Sequence, residues 1–158
     1  MPRTRFVPGS AESGPRPDEG AALSPSVDDP ARWGESLDYL YGVDLLNAGF
    51  CWEAHEALEF WWKGLGRAGH GREAMVVRGL IQVAAARIKR EVGDETGVRR
   101  LLERAGENFR GCAPGDVVMG LDAGAWWTAA RAGLLAGEGA PVPVVLTGLR
   151  GSRGFRRG

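Results

Sequence analysis

Residues 50–62 read FCWEAHEALEFWW and carry one of the two histidines and three of the six tryptophans of this 158-residue chain. The apolar side chains of the stretch recur with helical spacing, at about 100° per residue. One arc of the helical wheel holds Cys51, His55, Leu58, Glu59 and Trp62. The pattern predicts a helix over residues 50–64 whose apolar face contains a histidine and a glutamate one turn apart.

A carboxylate on an apolar face predicts a polar cluster, because a buried charge without a partner costs several kcal/mol. His55 is one available partner for Glu59, since residues four apart are neighbours on a helix. Glu53 is expected to point into solvent. The predicted buried cluster consists of Asp44, His55, Glu59, Arg78 and Gln82, with Glu56 on its flank and Tyr41, Trp52 and Trp62 around it.

Helical periodicity predicts four further helices, and no segment reads as a strand. The helices are expected over residues 29–48, 71–92, 95–110 and 116–136. Asp29 and Pro30 suit the start of the first helix, and Gly49 suits a left-handed cap after its end. The predicted core face of this first helix consists of Trp33, Leu37, Leu40, Tyr41, Asp44 and Ala48. Asp116 is the expected N-cap of the last helix.

The chain divides into three parts by composition. Residues 1–28 are rich in Pro, Gly, Ser and charge, which predicts a disordered tail. Residues 29–137 are predicted to form one helical domain, and residues 138–158 an irregular, locally basic tail. The predicted fold is therefore all-α, a compact bundle of about five helices with a disordered N-terminal tail and an irregular C-terminal tail.

Charge and hydropathy argue against several classes of partner. The formal net charge is zero, so no overall attraction to nucleic acid or to an anionic membrane is expected. No apolar run approaches the roughly 20 residues that span a bilayer, and the first residues lack the apolar core of a signal peptide. A cytoplasmic location is expected, and with it no disulfide between Cys51 and Cys112.

Two blocks of the sequence resemble the bacterial and archaeal family called domain of unknown function 309. The first block, NAGFCWEAHEALEFWWK, places on the family pattern Asn47, Gly49, Trp52, Glu53, Ala54, His55, Glu56, Leu58, Glu59 and Trp62. The second, RGLIQVAAARIK, places on it Gly79, Leu80, Ile81, Gln82, Ala84 and Ala85. Cys51 stands where the family commonly has an aromatic residue. The resemblance covers residues 35–111 and implies a compact helical domain, without implying any activity.

A metal or acid–base site is one functional interpretation of the polar cluster. His55 and Glu59 can ligate one divalent metal, with Asp44 or Glu56 as a third ligand. The zinc-protease motif HExxH is not met, because position 59 is Glu and His70 lies in a glycine-rich loop. Without a metal, His55 with Glu59 resembles a base and its orienting carboxylate.

Two other interpretations require neither catalysis nor a bound metal. Phe60 and Trp61 are predicted to point away from His55, and the adjacent Trp126 and Trp127 cannot both face one core, which favours self-association or a protein partner. Burial under the C-terminal run VPVVLTGL would also account for these aromatic residues. Alternatively, the polar cluster is a hydrogen-bond network that only fixes helix register. The sequence favours a structural or interaction-mediating role and leaves these alternatives open.

Overall fold

A computed structural model describes residues 29–149, which form a helical bundle. A short 3-10 helix (Pro30–Glu35) precedes five α-helices and one small β-hairpin. These elements are α1 (Leu37–Asn47), α2 (Cys51–Arg67), α3 (Gly71–Glu91), α4 (Glu95–Asn108), β1 (Val117–Val118), β2 (Leu121–Asp122) and α5 (Ala123–Ala136). The predicted all-α bundle is confirmed, while the predicted disordered tail over residues 1–28 lies outside the described residues. Within residues 29–149, no helix is both long and apolar enough to cross a membrane.

The first predicted helix is two helices in the structure. Asp29 caps the 3-10 helix as predicted, accepting a hydrogen bond from the Ala31 amide at 2.9 Å. The chain then becomes extended at Ser36, whose hydroxyl caps α1 by accepting a hydrogen bond from the Tyr39 amide. Gly49 has a φ of 82°, so the left-handed cap predicted after α1 is confirmed.

The last predicted helix begins seven residues later than expected, at Ala123, and a β-hairpin occupies the preceding residues. Val118 pairs with Leu121 across a two-residue turn in which Met119 and Gly120 both have positive φ. This is the backbone of a tight hairpin turn that matches the twist of paired strands. The N-cap of α5 is therefore Asp122 rather than the predicted Asp116. The prediction that no segment forms a strand was wrong in this region.

Tyr39 joins α1, α2 and the hairpin at the centre of the core. Its side chain is fully buried, and its ring centroid lies 6.1 Å from those of both Trp33 and Trp61. Its hydroxyl donates a hydrogen bond to the carbonyl oxygen of Met119 at 3.1 Å. Burial raises the pKa of Tyr39 far above its usual value, because ionisation would leave a phenolate in the core.

Residues 138–149, here called the C-terminal strap, lie across the bundle without forming a helix. Asn47 on α1 holds the strap at Val144, and the Thr147 amide donates to the carbonyl oxygen of Gly120 at 2.8 Å. Val144 is only 3% exposed. The strap therefore completes the core over α1, α3 and α5, while residues 150–158 of the predicted basic tail lie outside the described residues.

Candidate functional site

The buried face of α2 differs from the predicted one. Its centre is formed by Ala54, Leu58, Trp61 and Leu65, each at most 3% exposed. His55, Glu59 and Trp62 lie beside this face and are half-buried rather than at its middle. The predicted arc was rotated towards solvent, because Trp61 and not Trp62 enters the core.

His55 lies on a partly exposed surface between α2 and α3, here called the His55 surface, which consists of Trp52, His55, Glu56, Glu59, Trp62 and Arg78. The imidazole stacks on Trp52, with ring centroids 6.0 Å apart and planes 9° apart. Its Nδ1 lies 3.5 Å from Oε1 of Glu56, and its Nε2 lies 3.8 Å from Oε1 of Glu59. The His55 side chain is 26% exposed, so the imidazole is partly accessible to solvent.

Neither Glu56 nor Glu59 makes the hydrogen bond to His55 that would orient it as a catalytic base. A general base and its orienting group are expected about 2.6–3.2 Å apart, and both carboxylate distances exceed that range. Nδ1 is itself buried, yet among the described residues it makes no hydrogen bond. Glu59 instead accepts a hydrogen bond from Lys63 at 2.8 Å. An acid–base role for His55 and Glu59 therefore stays a prediction, without an orienting hydrogen bond to support it.

Asp44 does not join the polar cluster. It is exposed on the outer side of α1, and the predicted burial of its carboxylate was wrong. Within the described range 29–149, no three His, Cys, Asp or Glu side chains are grouped so that they could hold a metal ion. Metal binding by His55, Glu59 and Asp44 or Glu56 stays a prediction that the arrangement of these side chains does not support.

Arg78 and Gln82 have structural partners on different helices. The guanidinium carbon of Arg78 lies 5.6 Å from the ring centroid of Trp62, a cation–π contact on the surface. Gln82 accepts a hydrogen bond at 2.6 Å from the side chain of Asn108, which is buried at the end of α4. Arg78 thus links α3 to α2 and Gln82 links α3 to α4, and the single buried cluster that the sequence predicted is not formed.

Several aromatic residues that the sequence left for a partner are packed within the chain. Trp61 is 3% exposed, and its indole N–H points at the sulfur of Met119 at 3.4 Å. Trp126 is 6% exposed, and its indole N–H donates a hydrogen bond to the carbonyl oxygen of Val142. Trp127 stacks on Phe109, with the two ring centroids 5.2 Å apart. The strap covers Trp126, as one of the predicted alternatives required.

Glu53 was also placed on the wrong side of α2. Glu53 is only 8% exposed, although the sequence predicted that its side chain points into solvent. Glu53 lies at the edge of the true buried face, about 80° from Trp61 on the helical wheel. The same rotation that exposes His55 therefore buries Glu53.

The outward face of α1, formed by Leu37, Leu40, Tyr41 and Asp44, is the surface that the sequence placed in the core. These four side chains line an open depression of about 460 Å³. Leu37 is 53% exposed, whereas the opposite side of the helix buries Tyr39, Val43 and Leu46. The signal for this surface is that large apolar side chains stand on both sides of α1, a pattern found in helices that are covered on more than one side.

Comparison with known families matches residues 39–101 to the family described as domain of unknown function (DUF309). No curated protein matches the chain, and no solved structure does. The match confirms the resemblance read from the sequence over these residues, and the family is uncharacterised. It runs from α1 into α4 and includes the His55 surface, while the hairpin, α5 and the strap lie beyond it.

Proposed function

We propose that this protein is an interaction module that self-associates through the outward face of α1. The observation that carries the proposal is the exposed apolar stripe on this helix, with Leu37 at 53% exposure between the half-buried Leu40 and Tyr41. Removing such side chains from water favours association by about 25 cal/mol for each Å² of apolar surface. On the His55 surface, in contrast, Glu59 is hydrogen-bonded to Lys63 and Arg78 lies against the Trp62 ring.

The spacing of the stripe suits a helix as the partner. Leu37, Leu40, Tyr41 and Asp44 stand at positions i, i+3, i+4 and i+7, the spacing of a seam between two helices. In a two-fold antiparallel pair, Leu40 and Tyr41 meet their counterparts at the centre, and Leu37 of each copy lies opposite Asp44 of the other near the ends of the contact. A surface of this kind is complementary to itself, which is the requirement for a symmetric dimer.

Charge and size define the expected strength of the dimer. The formal net charge of zero removes long-range repulsion between two copies. The 11 residues of α1 span about 16 Å, so one helix face supplies less than the roughly 800 Å² per partner of a standard interface. We expect a reversible dimer with a dissociation constant in the micromolar range.

Sedimentation of the parent protein and of Leu37→Glu tests this proposal. Glu in the first turn of α1 is compatible with the helix dipole, so the monomer should fold as before. About half of each Leu37 would become buried, which for two copies amounts to roughly 2–3 kcal/mol, or a 30- to 150-fold weaker dimer. Met75→Glu is the matched control, since Met75 is 44% exposed near the start of α3.

The expected result is a concentration-dependent rise in mass from 16.9 kDa towards twice that value for the parent and for Met75→Glu. Leu37→Glu should show the same rise only at concentrations about 30- to 150-fold higher. A parent protein that remains monomeric up to about 100 µM would remove the proposal, and so would an equal effect of the two substitutions.

A further inference from the structure

The strap lies in a groove between α1, α3 and α5. The walls of this groove are formed by Leu46, Val83, Arg87, Trp126, Ala130 and Leu134. Ala140, Pro141 and Val142 of the strap line its open side. The groove is a feature separate from the outward face of α1, and the proposed self-association does not use it.

The bundle recognises the strap through its backbone. Arg87 donates to the carbonyl oxygens of Gly139 and Ala140 at 2.5 and 3.2 Å. Trp126 donates its indole N–H to the carbonyl oxygen of Val142 at 3.2 Å. These bonds require an extended chain with its carbonyl groups turned towards the bundle, and they do not depend on which side chains the strap carries.

Asn47 reads the next part of the strap in the same way. Its side-chain amide donates to the carbonyl oxygen of Val144 at 2.9 Å and accepts from the amide of Val144 at 2.7 Å. One side chain thereby satisfies both backbone polar groups of the buried residue Val144. Because Asn47 lies at the end of α1, the recognition of the strap extends across the whole groove.

The strap side chains alternate between the groove and solvent. Val144 is 3% exposed and Val142 and Leu146 are half-buried, whereas Pro143 is exposed and Val145 is 66% exposed. An extended peptide bound along a surface shows this period of two, with pockets that take every second side chain. Proline at 141 and 143 removes two amide donors that the groove would otherwise have to satisfy.

Arg87 pairs its guanidinium with the backbone of the strap. The residue is 9% exposed, and its hydrogen bonds within the described residues go to the two strap carbonyl groups. Because the strap covers this guanidinium, its two carbonyl acceptors offset the cost of removing the charge from water. With the strap removed, the groove would present the Arg87 and Trp126 donors to solvent beside an apolar surface, an arrangement complementary to a peptide backbone.

We infer that this groove is a binding site for an extended, proline-containing peptide, which residues 138–149 occupy within the same chain. A protein partner with apolar side chains at alternate positions and proline between them would compete for it. The strap leaves α5 through Gly137, which has a φ of 79°, followed by the exposed residues Glu138 and Gly139. This junction is where the strap can separate from the bundle without disturbing a helix.

The test uses the full chain with a protease site inserted between Glu138 and Gly139. After cleavage, the released fragment is removed by dilution, and a synthetic peptide GAPVPVVLTGL is titrated while tryptophan emission is recorded. We expect the cut bundle to stay helical and to bind the peptide with a dissociation constant of about 1–100 µM, since tethering supplies an effective concentration near millimolar.

Two peptide variants and one protein variant complete the design. A peptide in which Val142 and Val144 are both replaced by isoleucine should bind within about tenfold, because the pattern is kept. A peptide with Val144→Asp should bind at least about 100-fold more weakly, since a carboxylate would be buried. In the cut protein, Asn47→Ala should weaken binding of the parent peptide by about tenfold or more.

Four other results would each contradict the inference. Unfolding of the cut bundle would make the strap an integral part of the fold. A folded bundle that binds no peptide up to 1 mM, on the order of the effective concentration of the tether, would show that the groove is not a peptide site. Equal binding of the Val144→Asp peptide, or binding of the chain's own sequence alone, would exclude recognition by pattern.

Discussion

Gly79→Ala should destabilise this protein, although alanine is the better helix former. Gly79 lies in α3 at its crossing with α4, where the ring of Phe109 covers it. A Cβ added at Gly79 would lie 2.4 Å from Cε2 and 2.6 Å from Cζ of that ring. Phe109 has little room to move away, because it is 3% exposed and packs against two tryptophans. Its ring centroid lies 5.9 Å from that of Trp126 and 5.2 Å from that of Trp127.

The two opposing effects of this substitution can be compared in magnitude. Replacing glycine by alanine inside a helix stabilises it by up to about 1 kcal/mol. Inserting a methyl group into a packed core costs about 1–3 kcal/mol, and three ring atoms at 3.0 Å or less place Gly79 at the upper end. The expected net loss is about 2 kcal/mol, or roughly 4–8 °C in Tm for a chain of 158 residues.

Gly66→Ala provides the matched control, because a Cβ added at this position of α2 meets nothing within 4 Å. This variant should be as stable as the parent or up to about 1 kcal/mol more stable. Urea unfolding followed by far-UV circular dichroism gives both values. Gly79→Ala combined with Phe109→Leu should lose less stability than the sum of the two single changes. A Gly79→Ala protein more stable than the parent would refute the proposed packing of Phe109 on α3.

Two further outcomes follow from individual side chains. Glu59→Ala should cost at most about 1 kcal/mol, because Glu59 is 30% exposed and its partner Lys63 is also on the surface; a loss above about 2 kcal/mol in urea unfolding would place Glu59 in the core. Tyr39 has a raised pKa in the folded protein, so the folded state holds its proton more tightly and stability should fall as pH rises above about 10, the unfolded value. Tyr39→Phe should lose about 1 kcal/mol at pH 8 with the hydrogen bond to Met119, and its stability should depend less steeply on pH above 10; an unchanged pH dependence in urea melts would contradict this.

Local signals made α2, α3 and α4 predictable from the sequence. Each of these helices is bounded by a glycine with positive φ, such as Gly49, Gly69 and Gly93, and such residues end helices for steric reasons that the sequence shows directly. The hairpin was missed because its strands have two residues each, too few to show an alternating pattern. Its turn also places Met119 at a φ of 47°, a conformation that the sequence gives no reason to expect there.

The orientation of α2 could not be derived from the sequence because tryptophans stand on two sides of it. Trp61 and Trp62 are adjacent, and choosing Trp62 for the core brings His55 and Glu59 inside. The structure places Trp61 inside, where its indole N–H has the sulfur of Met119 from the distant hairpin as a partner. That contact joins residues 58 positions apart, so helical periodicity alone carries no information about it.

The error on α1 has a different cause and a functional consequence. Both sides of this helix are apolar, so Leu37, Leu40 and Tyr41 satisfy the periodicity of a core face as well as Tyr39, Val43 and Leu46 do. The competition is decided by Gly42, which allows α2 to approach so closely that a Cβ there would lie 2.7 Å from Leu58. Only one side of α1 carries that glycine, and it therefore packs against α2. The other side keeps the spacing of a buried face while remaining exposed, and it is the surface that we propose meets another helix.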